Sequence, residues 1–326
     1  MKPILCLLLL FCLARALTVS AQKQQIRFEH LETNHGLSQS NVICILQDSR
    51  GFMWFGTRDG LNRYDGYKFT IYKNNPHDPF SISNNFIRAI TESKNGDIWI
   101  ATQGGGVCRY DRTKDKFTTY KYDPNNSSSI SNDFITSLRE DSQGIMWIGT
   151  ENGLNHFDNE KNQFVRYVPG KIGTNSLNDG YVRSIFEDSY HNLWIGTVKG
   201  GLNRFDRKHR TFSSFRYNEN DTKSISSDNI YTLFEDSRKR LWIGTDGGGL
   251  NLFDNSSGQF SRFKQDNSNS NSLAGNSVYA INENNDHNLW IGTENGGLSI
   301  FNTETNLFQN YQKDEADKYS LNNNSV

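Results

Sequence analysis

The chain of 326 residues carries 35 basic and 36 acidic side chains, which gives a net charge of −1. Hydrophobic residues make up 35% and the mean hydropathy is −0.71, which excludes a protein that crosses the membrane many times. Aromatic residues make up 13%, too many for a disordered chain, and the near-neutral charge predicts no nucleic-acid partner for this segment.

Residues 1–21 predict a signal peptide that is removed on export. Lys2 precedes an apolar run at 4–13, and the small residues at 19–21 fit a cleavage site. This apolar run is too short to cross a hydrocarbon core of ~30 Å, so a permanent anchor is the weaker interpretation. We therefore expect an exported, periplasmic protein whose mature part is residues 22–326.

A tryptophan motif recurs every 45 to 48 residues through the mature chain. An apolar strand begins twelve residues before each Trp, a small residue stands ten before it, and a Thr follows three after it. A Gly-containing loop, a segment such as L-N-R-F-D and an aromatic pair complete the unit, which predicts four short antiparallel strands, a to d. We interpret both markers as structural; they are Trp54, Trp99, Trp147, Trp194, Trp242 and Trp290, and Thr57, Thr102, Thr150, Thr197, Thr245 and Thr293.

Six such units predict an all-β fold, a β-propeller of four-stranded antiparallel blades. The predicted blades are 37–72, 82–120, 130–167, 177–215, 225–263 and 273–311. Residues 26–31 share the spacing of strand d and predict a closing strand, whereas 320–326 restart the unit. We therefore expect a seven-bladed ring that is truncated in this sequence.

Variable residues within the repeat are the candidates for ligand binding. The first residue of the loop between strands b and c is mostly polar and varies between units; the polar members are Arg58, Gln103, Glu151, Asp246 and Glu294. Arg88 and Arg183 stand eleven before their Trp on the innermost strand, where a cation needs water, a partner or an anionic ligand. These residues predict a site for sugars, including uronic acids or sulfates, and the alternative is a solvated loop and channel.

Catalysis and metal binding find no support in the sequence. The histidines are scattered, and Cys44 and Cys108, the cysteines that follow the signal peptide, lack metal-ligand spacing. The D-S-x-G turns are similar to the Asp-box of sialidase-type propellers, but no arginine cluster with a tyrosine nucleophile stands out. A streptogramin-lyase-like propeller is a further alternative. We predict no catalytic residues, no metal and no cofactor.

The repeated phrase resembles the two-component regulator propeller repeat over residues 24–326. It is clearest at Glu140–Ser142, Trp147–Thr150 and Gly153–Asn155, whereas Ala101 and Cys108 depart from the pattern. Asn302, which replaces an Asp in the last unit, is a third departure.

The resemblance implies the periplasmic sensor of a hybrid two-component histidine kinase of gut Bacteroidetes. It implies downstream parts that this sequence does not contain: a second propeller, a β-sandwich, one transmembrane helix, a kinase, a receiver and a DNA-binding domain. It also implies glycan ligands that control polysaccharide-utilisation genes, a homodimer formed through the full ectodomain, and membrane attachment only through the downstream helix. A protein-interaction scaffold and a secreted carbohydrate-active enzyme are the alternatives.

Overall fold

The computed structural model describes residues 26–170 and 176–326, and the predicted signal peptide at 1–21 lies outside them. A short 3-10 helix, Thr33–His35, precedes 24 strands that form six sheets of four.

The strands of each blade, a to d, follow one another in the chain. Blade 1 contains β1 (Val42–Gln47), β2 (Met53–Thr57), β3 (Gly60–Tyr64) and β4 (Phe69–Tyr72). Blade 2 contains β5 (Ile87–Glu92), β6 (Ile98–Thr102), β7 (Val107–Asp111) and β8 (Lys116–Tyr120). Blade 3 contains β9 (Ile135–Glu140), β10 (Met146–Thr150), β11 (Gly153–Asp158) and β12 (Gln163–Tyr167). Blade 4 contains β13 (Val182–Glu187), β14 (Leu193–Thr197), β15 (Leu202–Asp206) and β16 (Thr211–Phe215). Blade 5 contains β17 (Ile230–Glu235), β18 (Leu241–Thr245), β19 (Gly249–Asp254) and β20 (Gln259–Phe263). Blade 6 contains β21 (Val278–Glu283), β22 (Leu289–Thr293), β23 (Gly297–Asn302) and β24 (Leu307–Tyr311).

Each sheet is antiparallel, and its strands lie side by side in chain order. The a strands contact one another in succession from blade 1 to blade 6, so they form the inner wall. The fold is thus an all-β propeller of six four-stranded blades in a ring, which confirms the predicted fold class.

Small residues face one another where the inner strands converge. In blade 4, Ser184 on strand a pairs with Gly196 on strand b, and Ile230 of the next blade packs over both. A Cβ atom added at Gly196 would lie 2.6 Å from the Cγ2 atom of Ile230, too close for any side chain. This crowding explains why the position ten before each Trp is always small.

The repeated tryptophans fill the spaces between blades. Trp194 is 1% exposed and belongs to the same core cluster as Ile230, Leu241 and Phe253 of blade 5. Corresponding clusters surround Trp54, Trp99, Trp147 and Trp242, each with residues of the following blade. The burial of large aromatic side chains therefore holds each blade against the next.

A buried aspartate in the a–b turn fixes the indole in four of the six blades. Asp141 accepts hydrogen bonds from the Nε1 atom of Trp147 at 2.7 Å and from the backbone amides of Gln143 and Ile145 at 2.9 Å. The same Trp-to-Asp bond forms at Asp48, Asp188 and Asp236. Ser93 and Asn284 occupy the corresponding positions of blades 2 and 6.

The residue after this position of the a–b turn forms hydrogen bonds to the next blade. Ser142 donates from its backbone amide and its Oγ atom to Glu187, which ends strand a of blade 4. Equivalent bonds reach Glu92, Glu140, Glu235 and Glu283. Arg207 bridges the Asp141 and Glu187 carboxylates at 2.7 and 2.8 Å, and Arg112 bridges Asp48 and Glu92 in the same way. An arginine therefore adds a charged bridge between blades 1 and 2 and between blades 3 and 4.

The repeated threonines hold the b–c loops in place. In blade 3 the Thr150 hydroxyl donates to the Gly153 carbonyl at 3.0 Å and contacts the Ser131 hydroxyl. Asn155 accepts from the Ser131 amide and donates to the Ser131 Oγ atom. These buried bonds join the linker before a blade to the loop inside it.

Acid is expected to weaken this structure through Asp141. Burial alone raises the pKa of Asp141, but hydrogen bonds from Trp147, the Ile145 amide and Arg207 outweigh it, so the pKa lies below its usual value. A carboxyl whose pKa is lower in the folded state contributes stability above about pH 4 and loses it as pH falls through the folded pKa. We expect the thermal midpoints of the wild type and Asp141→Asn, measured from pH 2 to 7, to converge in acid; parallel curves would contradict this.

The predicted closing strand at 26–31 is not a strand in the structure. A strand d pairs with a strand c, and the described residues contain no seventh strand c. Phe28 nevertheless donates from its amide to the Tyr319 carbonyl at 3.1 Å, and His30 contacts the Ser320 carbonyl at 3.2 Å. Strand d of blade 3 makes the same pair of contacts through Phe164 and Arg166 to the linker before its own blade.

Candidate functional site at the inner strands

A β-bulge interrupts every inner strand at the same position of the repeat. The register between strands a and b shifts after the first residue of strand a, so the second residue has no direct partner. Bulges of this kind re-aim a side chain and often lie beside functional sites. The six bulge residues are Ile43, Arg88, Thr136, Arg183, Tyr231 and Tyr279.

In blades 2 to 6, a backbone hydrogen bond holds the first residue of the b–c loop beside the start of the inner strand. The amide of Gln103 donates to the Phe86 carbonyl at 3.0 Å, and that of Glu151 to the Phe134 carbonyl at 3.1 Å. Val198, Asp246 and Glu294 make the same bond in blades 4 to 6. The bulge residues and the variable loop residues therefore share one end of the ring, as the strand order predicts.

Arg88 is the centre of a polar cluster on blades 2 to 4. Its Nε atom donates to the Gln103 Oε1 atom at 2.5 Å, and its Nη2 atom donates to the Tyr181 hydroxyl at 3.3 Å. The Glu151 carboxylate lies 4.0 Å from the same Nη2 atom. Arg88 is thus well supplied with acceptors and joins three blades.

An aromatic surface extends from this cluster in both directions. Arg58 and Arg88 lie over the Phe86 ring, at 5.6 and 5.4 Å from its centroid. On the other side, Arg183 lies 4.3 Å from the centroid of Tyr231 and 5.6 Å from that of Tyr181.

Tyr279 continues the same surface onto blade 6. Its ring meets the Tyr231 ring edge to face, with centroids 4.7 Å apart. Burial raises the pKa of Tyr279, and contacts with Glu294 and Tyr231 raise it further, so its hydroxyl stays protonated at neutral pH. A neutral hydroxyl beside a carboxylate can donate a hydrogen bond to it.

The structure thus brings together most of the predicted candidates, namely Arg58, Arg88, Gln103, Glu151, Arg183 and Glu294. Asp246 is engaged elsewhere, since it accepts from the Asn229 side-chain amide and the Ser277 hydroxyl, each at 2.8 Å. It therefore joins two linkers.

The aromatic residues of this site were not predicted from the sequence. Phe86 and Tyr181 stand thirteen residues before their Trp, a position that also holds Phe134. Tyr231 and Tyr279 occupy the bulge position and were likewise not among the predicted candidates. The usable signal was the recurrence of aromatic residues directly before and at the start of the inner strand.

The described part of the chain offers no metal centre: nowhere in it do three or more His, Cys, Asp or Glu side chains converge to hold an ion. Within the same residues, no helix has the length and apolar character needed to cross a bilayer. The site can therefore supply hydrogen bonds, positive charge and aromatic faces from its own side chains.

Known proteins share both the repeat and the fold. The family model for the two component regulator propeller matches six segments: residues 36–59, 81–104, 129–152, 176–199, 224–247 and 272–295. A curated relative, histidine kinase P4 of Formosa agariphila, is 52% identical over 68 residues, which is 21% of this chain and 5% of the kinase.

Solved structures extend the likeness to almost the whole propeller. The extracellular domain assigned to the hybrid two component system BT3049 of B. thetaiotaomicron is 27% identical, with a TM-score of 0.79 over 92% of this chain and 38% of that one. A virginiamycin B lyase of Staphylococcus aureus has a TM-score of 0.65 over 88% of each chain but is 17% identical, which shows the fold alone. This chain is built from two-component regulator propeller repeats.

Proposed function

We propose that this chain is the ligand-sensing propeller of a hybrid two-component sensor histidine kinase, exported to the periplasm. The relatives named above support this role, although the chain spans only a small part of the kinase and 38% of the BT3049 domain. The observation that carries the proposal is the continuous surface of arginine, tyrosine and carboxylate side chains at the bulges and the adjoining b–c loops. Such a surface is costly for folding and is suited to binding a polar ligand.

We propose glycans or oligosaccharides as the ligands. Sugars present hydroxyl groups together with apolar C–H faces, and they need hydrogen-bonding groups and aromatic rings at once. Gln103 and Glu151 offer amide and carboxylate oxygens, whereas Tyr231 and Tyr279 offer rings. A site that combines these groups favours an oligosaccharide over a wholly apolar ligand.

Signalling follows if the ligand favours one arrangement of two protomers. We propose that the full ectodomain forms a homodimer and that binding changes how its domains pack. A downstream transmembrane helix then passes the change to the kinase, which controls polysaccharide-utilisation genes. A ligand shifts such an equilibrium only through a difference in affinity for the two states.

We further propose that the ring closes with a seventh blade whose strand d is the segment 26–31. The bonds of Phe28 and His30 to residues 319 and 320 support this, because they repeat those of an ordinary strand d. Val326 supports it too, since it packs on Gly292 as Ile230 packs on Gly196. Pairing of the first and last segments would remove an open sheet edge.

The glycan proposal is tested by titration calorimetry of the full chain with a panel of neutral and acidic oligosaccharides. We expect at least one to bind and Tyr231→Ala to weaken it about tenfold, because the variant removes an aromatic face. Tyr190→Ala is the control, since Tyr190 is 59% exposed in an a–b turn at the opposite end of the ring. Absence of any binding, or equal loss in both variants, would contradict the proposal and favour a protein-interaction scaffold.

A further inference from the structure

Arg183 differs from Arg88, the other cation at a bulge, in the groups that surround its guanidinium. It is the bulge residue of β13, and its guanidinium carbon lies over the Tyr231 ring, 4.3 Å from the ring centroid. Tyr181 adds a second ring at 5.6 Å. Two aromatic rings therefore hold the guanidinium at the inner wall.

The Nη1 atom of Arg183 is buried, and it finds no hydrogen-bond acceptor among residues 26–170 and 176–326. A stacked ring interacts with the face of a guanidinium and leaves the N–H groups in its plane unsatisfied. A buried polar group without a partner destabilises the fold. Arg88, at the equivalent position two blades earlier, has Gln103 and Tyr181 as acceptors.

The acidic side chains of the same end of the ring are occupied by other groups. Glu151 lies 4.0 Å from Arg88, and Asp246 accepts from Asn229 and Ser277. Glu294 contacts Tyr279. None of the ion pairs found in the described residues includes Arg183.

We propose that Arg183, stacked on Tyr231 and flanked by Tyr181, binds an oxyanion carried by the sugar ligand, either the carboxylate of a uronic acid or a sulfate ester. This inference rests on the proposed function and specifies its ligand. The planar guanidinium can offer two parallel N–H groups to either oxyanion. The surrounding rings lower the local dielectric constant and strengthen the pair, and the Tyr231–Tyr279 surface lies beside it for the sugar ring.

The test uses calorimetry on the full chain with matched probes. One pair is trigalacturonate and its methyl ester, and the other is a sulfated galactan oligosaccharide and its desulfated form; inorganic sulfate represents a free anion. We expect the acidic member of at least one pair to bind more tightly, and Arg183→Met to weaken it about 10- to 100-fold. Arg204→Met is the control, because it removes one positive charge from the same blade. Arg204 also lies over an aromatic ring, that of Trp194.

Thermal denaturation separates binding from folding. Arg183→Met is expected to keep or raise the midpoint, because it removes a buried donor that has no acceptor. Arg183→Thr is a second variant, since blade 3 carries Thr136 at the same bulge. A marked fall of the midpoint in both variants would show that the guanidinium supports the fold, and would overturn the inference.

Each binding result has one meaning. Selective loss in Arg183→Met with full binding by Arg204→Met supports the inference. Equal affinity for both members of each pair, or unchanged affinity in Arg183→Met, overturns it but leaves the proposed glycan function standing. Inorganic sulfate binding as tightly as the acidic sugars overturns the sugar as the source of the anion. Failure of every acidic and neutral oligosaccharide to bind overturns both proposals.

Discussion

Replacement of Asp141 by alanine is expected to lower the free energy of unfolding by about 3–5 kcal/mol, as when one partner of a buried ion pair is removed. The Asp141 side chain is 0% exposed and accepts from Trp147, from two backbone amides and from Arg207. The variant leaves the Trp147 indole and both backbone amides without this acceptor, and it leaves Arg207 with Glu187 as its remaining carboxylate partner. Chemical denaturation followed by tryptophan fluorescence measures the loss.

Asp158→Ala is the matched control for this prediction. Asp158 lies in the same blade but at the c–d turn, where it accepts from the amides of Glu160 and Lys161 at an exposed surface. Its removal is expected to change the denaturation midpoint far less. Similar losses in the two variants would show that burial does not determine how much the Asp141 hydrogen bonds contribute to the free energy of unfolding.

Replacement of Trp194 by alanine is expected to lower the free energy of unfolding by about 3–5 kcal/mol, the usual range for a large aromatic residue in a packed core. The indole packs against the Phe253 ring of blade 5 at 5.1 Å and the Phe215 ring at 5.8 Å, and it donates to Asp188 at 2.7 Å. The variant opens a cavity between two blades and also removes a donor from a buried carboxylate. The denaturation midpoint and its slope report the change.

Trp290→Ala provides the internal comparison. Trp290 has the same W-I-G-T motif, but its buried Nε1 atom has no acceptor in the part of the chain that the structure describes. We therefore expect a smaller loss in the 326-residue chain. Trp194→Phe is a milder variant that keeps most of the packing, and equal losses in Trp194→Ala and Trp290→Ala would refute the inter-blade role of the indole.

The period of the tryptophans was sufficient to predict the blades, because the repeat is a local pattern. Strand a begins twelve residues before the Trp in all six units, from Val42 in blade 1 to Val278 in blade 6. The small residue two positions later is needed because the inner strands converge there. The close contacts of Gly196 with Ser184 and Ile230 show this crowding.

The bonds between blades were not predicted, although their residues were visible. The letters E-D-S recur in the sequence, yet the Glu and the Ser of one phrase do not bind each other. Ser142 binds Glu187, which lies 45 positions later, and Ser49 binds Glu92, 43 positions later. A contact across one full repeat becomes evident only when the blades stand side by side.

The grouping of polar side chains at the bulges was predicted in part, for a related reason. Arg88 and Arg183 were identified because a cation on an inner strand needs a partner. The bulge itself has no compositional signature, since Ile43, Thr136 and Tyr231 occupy it equally well. Phe86 and Tyr181 lie just before the inner strand, where the sequence alone gives no sign that their side chains reach the bulge.

The shared bulge also bears on how such propellers diversify. The residue at this position has no direct partner on strand b, and aliphatic, hydroxyl, cationic and aromatic residues all occur there. Selection can therefore exchange one axial residue per blade without redesigning the framework. Combinations of a few residue types at equivalent positions give a large repertoire of recognition surfaces from a single scaffold, and the same positions are a natural choice for a combinatorial library.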